Sequence, residues 1–218
     1  MTGSSPPNRL TPIQRAVLQA FFAREHGFFL TGGGALAGFY LGHRTTDDLD
    51  LFTTDDAAFE RGRFVLADVA AALGATVDIR QAAPRFVRAV VSCGDDAVVV
   101  DLVRDAVQHH AVKPERDGIR LDSMAEILIN KLGTLVGRAE ERDLVDLLCL
   151  ERAGLRVEDA LAGAVAKDGG CTPATLAWLL SEVVIADSVV LPAGVVPADL
   201  RAFVADLIVR FRRAALPD

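Results

Sequence analysis

The sequence predicts an α/β N-terminal half followed by an all-helical C-terminal half, and three patterns carry that prediction. Short apolar runs of strand length crowd the first 121 residues, apolar residues at helical spacing fill the chain after residue 122, and Gly, Pro and Asp punctuate the passage between elements. With 218 residues, 51% of them hydrophobic, the chain has material for a sizeable core. The expected organisation is a flexible tail over residues 1–10, an α/β domain over 11–121 and a helical domain over 122–218.

The tail is Ser/Pro-rich and lacks the apolar stretch of a signal peptide. Thr11 reads as the N-cap and Pro12 as the first residue of a helix whose apolar positions are Ile13, Val17, Leu18, Phe21 and Phe22. A short strand over 28–31 meets the triplet Gly32-Gly33-Gly34, taken as a tight turn before a helix over 35–41, and the next strand covers 48–53. A helix over 56–73 should stop at Gly74, whose missing Cβ suits a left-handed cap. Strand-like runs over 76–81, 85–92 and 97–103, with turn residues between them, predict an antiparallel meander. After a brief strand over 119–121, Ser123 and Glu126 have capping-box spacing and open a helix through Val136. Helices over 140–152, 157–167, 173–186 and 197–214 complete the chain.

Charge and cysteine content narrow the function classes. Thirty acidic against 23 basic residues give a net charge of −7, so the field of the whole molecule repels polyanions and any RNA contact requires a local basic patch. Cys93, Cys149 and Cys171 lie far apart, the pattern of reduced and mostly buried thiols, which points to the cytoplasm. No run reaches the ~18 apolar residues of a membrane span, and His109 with His110 has no further ligand nearby to suggest zinc.

The chemistry concentrates in carboxylates. On a strand, alternation sends Asp48 and Asp50 to one face while Leu49 and Leu51 take the other. Two carboxylates roughly 4 Å apart repel, by about 1 kcal/mol in water and more in a drier cleft, and a hard cation between them turns that repulsion into attraction. Asp101 interrupts the apolar run 98–103 and would suffer desolvation without a partner. If its strand lies beside 48–53, three carboxylates form a nest for divalent ions of the kind that serve phosphoryl displacement. The glycine triplet can bring backbone N–H groups close to a phosphate. Gly32, Gly34 and Gly38 also approximate a dinucleotide-binding fingerprint, but Asp48 and Asp50 begin their apolar strand where the ribose-binding acid should end it.

The stretches 31–36, 43–52 and 100–103, with Asp48-Leu49-Asp50 at their centre, resemble the polymerase β-like nucleotidyltransferases, most closely the AbiEii/AbiGii-type toxin branch. The resemblance implies an α/β (α+β) nucleotidyltransferase domain with a mixed sheet and a helical region after it. It implies Mg²⁺ or Mn²⁺ on Asp48, Asp50 and Asp101, an NTP held by a pair among Gly32, Gly33 and Gly34, and Thr46 in the place of the family's Ser. The segment 130–147 resembles the family's second signature, which implies nucleotide binding by Lys131 and Arg138 and a catalytic contribution from Asp146. Lys131 and Arg138 are seven residues apart on one helical face, and Asp143 and Asp146 read as a shared polar face opposite Leu144, Leu147 and Leu148.

These residues together predict transfer of NMP from an NTP to an acceptor hydroxyl. The family implies the 3′ end of tRNA as acceptor, a toxin role in toxin–antitoxin or phage defence, and a cognate antitoxin as partner. A small antibiotic, a protein hydroxyl, or nucleotide binding without turnover are the alternatives. Arg80, Arg85, Arg88, Arg104, Lys113 and Arg116 cluster around the meander and are the expected RNA-facing patch, with Arg210, Arg212 and Arg213 as another or as a helix C-terminus complementing its dipole.

Overall fold

The computed structural model describes residues 8–216. Residues 1–7 of the expected tail lie outside the described residues. The remaining three are held in place: Arg9 donates its backbone N–H to the Ala37 carbonyl, and Leu10 is buried against Gly38. Helix α1 (Pro12–Phe22) begins where its cap dictates, because Thr11 Oγ1 accepts from the Gln14 N–H while the Gln14 side chain accepts from the Thr11 N–H.

Strand β1 (Phe29–Thr31) passes directly into helix α2 (Gly32–Ala35), which continues as a π-helical turn over Leu36–Tyr40. The expected turn followed by a helix from residue 35 is thereby corrected: the glycines form the first helical turn themselves. The chain can switch so abruptly because Gly32 adopts φ +60°, a left-handed value that strains any residue with a Cβ.

Next come β2 (Asp48–Thr53) and α3 (Asp56–Ala72), the latter capped by Asp55, which accepts from the N–H groups of Ala57 and Ala58. Gly74 follows at φ +63°, as a left-handed cap requires. The meander consists of β3 (Thr76–Ala83), β4 (Phe86–Cys93) and β5 (Asp96–Arg104). A small hairpin, β6 (Glu115–Arg116) and β7 (Ile119–Arg120), precedes Leu121, which bridges in parallel to Leu30.

The sheet order is β1-β2-β5-β4-β3, and β2 pairs with β5 in parallel while every other pairing in this sheet is antiparallel. The result is a mixed five-stranded sheet. Helices α1 and α3 cover one face, and the strands turn Leu49, Leu51, Val100 and Leu102 toward them with no exposed surface. Phe21 and Phe28 meet edge to face there, with ring centroids 5.3 Å apart. The alternate residues of β2 and β5 therefore belong to the opposite face.

The chain divides into two compact units, the first ending at Ser123 and the second starting at Met124. The second consists of α4 (Met124–Gly137), α5 (Glu141–Arg152), α6 (Val157–Lys167), α7 (Pro173–Ser181) and α8 (Pro197–Ala214). Its apolar core includes Leu132, Leu144, Leu147, Leu176, Leu200 and Phe211. Helix α7 ends five residues before the expected 186, where Glu182 forms its C-cap.

Charged side chains are also built into this unit. Arg210 on α8 binds Glu151 of α5 and Glu158 of α6, each at 2.6 Å, so it is a tie between three helices and not part of an RNA-facing patch. Glu126, fully buried, pairs with Lys167 at 2.6 Å. Among the described residues no helix is long and apolar enough to cross a membrane. None of the three cysteines is in a disulfide, and Cys171 is buried but Cys93 exposed, contrary to the mostly buried set expected.

Candidate active site

The face of the sheet opposite α1 and α3 owes its chemistry to register. Parallel pairing sets Asp50 directly beside Asp101, and Asp48, two residues earlier on β2, points to the same side. The three side chains converge, with ligating oxygens all within 4.8 Å of one another. Asp48 and Asp50 are half-buried and Asp101 is buried. Like charges side by side on neighbouring strands repel, so the arrangement needs compensation.

Part of that compensation comes from β4. Arg88 is the residue opposite Asp101 in the β4–β5 ladder, and its Nε and Nη2 donate to the two carboxylate oxygens at 2.8 and 2.6 Å. Those hydrogen bonds, and behind them the charges of Asp101, Asp48 and Asp50, hold the guanidinium above its already high range. Arg88, expected in an RNA-facing patch, lies in the acid cluster instead. The alternation of β4 gives the face it points to, but only the strand pairing gives its partner.

The glycines approach the acids from the other side. A Cβ on Gly32 would stand 2.3 Å from Asp50 Oδ2, and one on Gly33 would stand 2.9 Å from both Thr46 Oγ1 and an Arg44 guanidinium nitrogen. Gly34 instead faces the core side chains of Leu30 and Leu49. The Gly32-Gly33 pair, not Gly33-Gly34, therefore adjoins the acid cluster. Thr46 donates its hydroxyl to Asp48 Oδ1 at 2.9 Å and its carbonyl accepts from Gln14 Nε2 at 2.7 Å, so α1 anchors a residue that orients the first aspartate. Arg44 was not anticipated, since it lies in an irregular segment whose path the sequence does not give.

A second unanticipated group underpins the glycine turn. Thr31, the residue before Gly32, spends its hydroxyl on Asp122 Oδ2 at 2.8 Å instead of capping α2. Asp122 has no exposed surface, and its other oxygen accepts from Lys113 Nζ at 2.7 Å. The ammonium also lies 4.4 Å from the Phe29 ring centroid. Lys113 is thus a buried counter-ion, Arg104 binds Asp56 at 2.6 Å, Arg80 binds Asp78 at 3.1 Å, and Arg116 stacks over Tyr40. Of the expected basic patch, Arg80, Arg88, Arg104 and Lys113 are thus paired with carboxylates, while Arg85 is exposed.

The helical unit presents its own cluster. Lys131 on α4 is buried and reaches Asp143 Oδ1 at 2.8 Å and Asp146 Oδ2 at 2.6 Å on α5. Burial alone would lower its pKa; the charges of Asp146 and Asp143 outweigh that and raise it, so the ammonium stays protonated. Arg138 approaches Asp143 Oδ2 at 3.4 Å from a half-exposed position. Asp143 and Asp146 have no exposed surface, which corrects the polar face expected of them: they point inward at Lys131 because a buried ammonium requires counter-charge.

Residues 16–214 match a family described as the nucleotidyl transferase AbiEii toxin of type IV toxin–antitoxin systems. No curated protein matches the sequence. The fold is similar to that of JHP933 from Helicobacter pylori, with a TM-score of 0.60 at 16% identity over 93% of this chain and 90% of that one. It is also similar to MenT4, the nucleotidyltransferase toxin Rv2826c of Mycobacterium tuberculosis, with a TM-score of 0.50 at 17% identity over 93% of this chain and 85% of that one.

Proposed function

We infer the reaction from what the chain is: it belongs to the AbiEii nucleotidyl transferase toxin family, and it is a nucleotidyltransferase. We propose that transfer is metal-dependent and occurs at the Asp48, Asp50 and Asp101 cluster. The observation that carries this reading is the convergence of three carboxylates within 4.8 Å on the face of the sheet opposite α1 and α3. An all-oxygen, anionic donor set suits Mg²⁺ or Mn²⁺. Such an ion, when bound, would neutralise charge on the phosphates and lower the pKa of the attacking hydroxyl.

The chain's own residues do the positioning. Asp48 and Asp50 would hold the ion from one strand and Asp101 from its parallel neighbour, while the Thr46 hydroxyl orients Asp48. The Gly32-Gly33 backbone, free of side chains and adjacent to Asp50, lets the NTP phosphates approach closely. Within the helical unit Lys131 and Asp146 form a buried ion pair, and Arg138 is half-exposed beside Asp143. The acceptor we propose is the 3′ end of tRNA, in keeping with a toxin that works opposite a cognate antitoxin.

Incubation of the purified chain with each labelled NTP, Mg²⁺ and total RNA tests this. Label should enter an RNA of tRNA size, and Asp48→Ala should abolish transfer with the circular dichroism spectrum unchanged. Transfer retained by Asp48→Ala would overturn the site, and label found only on protein or small molecules would overturn the acceptor.

A further inference from the structure

Three threonines among the described residues stand at helix N-caps with extended backbone: Thr11, Thr31 and Thr172. A threonine there ordinarily accepts from a backbone N–H of the first turn. Thr11 accepts from the Gln14 N–H at 3.3 Å and Thr172 from the Thr175 N–H at 3.2 Å. Thr31 makes no such cap, and its hydroxyl donates to Asp122 Oδ2 at 2.8 Å.

Asp122 is fully buried, and its other oxygen accepts from Lys113 Nζ at 2.7 Å and from the Ser123 N–H at 3.1 Å. The Lys113 side chain is itself only 4% exposed, so the ion pair is shut off from solvent. Asp122 also braces this segment with its backbone: its N–H donates to the Leu30 carbonyl at 2.8 Å, and its carbonyl accepts from the Tyr40 hydroxyl at 2.7 Å. Those two bonds hold the segment 30–40 at both ends whatever side chain stands at 122. The carboxylate is left with a narrower task toward this segment, to keep the Thr31 hydroxyl off the Gly32-Gly33 backbone that adjoins Asp50.

We propose, on the reading that this glycine backbone receives the NTP phosphates, that Asp122 is a positioning residue: paired with Lys113, it draws the Thr31 hydroxyl out of the cap position and leaves the glycine turn open to phosphate. Without the carboxylate, Thr31 caps the turn as Thr11 and Thr172 cap theirs, and the nucleotide has to displace it.

The test uses the full chain and the α,β-methylene analogue of each NTP with Mg²⁺, titrated by calorimetry. The double variant Lys113→Met, Asp122→Leu removes the ion pair together, which avoids stranding a buried charge. It should bind the analogue that wild type prefers about fivefold more weakly, the factor a typical cap hydrogen bond is worth. Adding Thr31→Val, which deletes the hydroxyl and keeps the branched shape, should restore the affinity although it removes one more polar group. A merely structural role for Asp122 leaves the triple variant as weak as the double or weaker; that result, or a double variant that binds like wild type, overturns the inference. Thr31→Val alone should lower Tm and keep the wild-type affinity, so weakened binding there overturns the inference even if the double variant does not fold. Failure of wild type to bind any analogue would instead overturn the phosphate reading of the glycine turn.

Discussion

Gly32→Ala separates the catalytic demand on the glycine turn from its structural demand. At φ +60° an alanine costs about 1–2 kcal/mol of backbone strain, which for a chain of this length lowers Tm by about 2–8 °C. The new Cβ would stand 2.3 Å from Asp50 Oδ2, and an ordinary contact needs about 1 Å more. Relief is cheap for the fold, because a carboxylate tip can rotate aside. It is expensive for the reaction, since a misplacement of about 1 Å at a reacting centre costs on the order of 100-fold in rate. Gly34→Ala is the matched control: its Cβ would meet Leu30 Cδ1 at 3.1 Å and Leu49 Cδ2 at 3.4 Å, both flexible side-chain ends facing away from the acids. Label-transfer rate at saturating NTP and Tm, measured for both variants, give the answer. Full activity in Gly32→Ala, or equal losses in the two, would refute the placement of Gly32 against Asp50.

Three other outcomes follow from charges buried or paired in the helical unit. Lys131→Met leaves Asp143 and Asp146 without their ammonium and should cost about 3–5 kcal/mol, read as a lowered urea midpoint. An unchanged midpoint with a raised KM for NTP would return Lys131 to nucleotide binding. Acid should loosen the same unit at α6: Arg210 holds the Glu158 carboxyl down at about 2 from an ordinary 4.5. A depressed carboxyl stabilises the fold above its unfolded pKa, so this contribution is complete above about pH 5.5 and is lost as pH falls toward 2. The loss should approach at most about 3 kcal/mol, and Arg210→Met should flatten that acid limb of the stability profile. A wild-type acid limb in Arg210→Met would show that other carboxylates control it.

Local chemistry decided much of this protein within the sequence. The Thr11 cap, the left-handed glycine at 74, the Pro starts of α7 and α8, and the strand 48–53 all depend on side chains interacting with backbone a few residues away. The period-two alternation that buries Leu49 and Leu51 also forces Asp48 and Asp50 onto one face, so half of the acid cluster was legible from six consecutive letters.

The other half depends on pairings between residues far apart in the chain, which carry no local signature. That β5 lies parallel to β2 with Asp101 beside Asp50, and that β4 then delivers Arg88 to Asp101, follows from a strand order only the packed sheet defines. The same holds for the basic residues. An arginine or lysine reads alike in sequence whether it meets solvent, RNA or a buried carboxylate, and tertiary contact alone assigned Lys113 to Asp122, Lys131 to Asp143 and Asp146, and Arg210 to Glu151 and Glu158. The sequence by itself determined that Asp48 and Asp50 share one face of their strand; the tertiary structure decided which charges neutralise one another, because desolvation makes a buried ion seek its counter-ion regardless of distance along the chain.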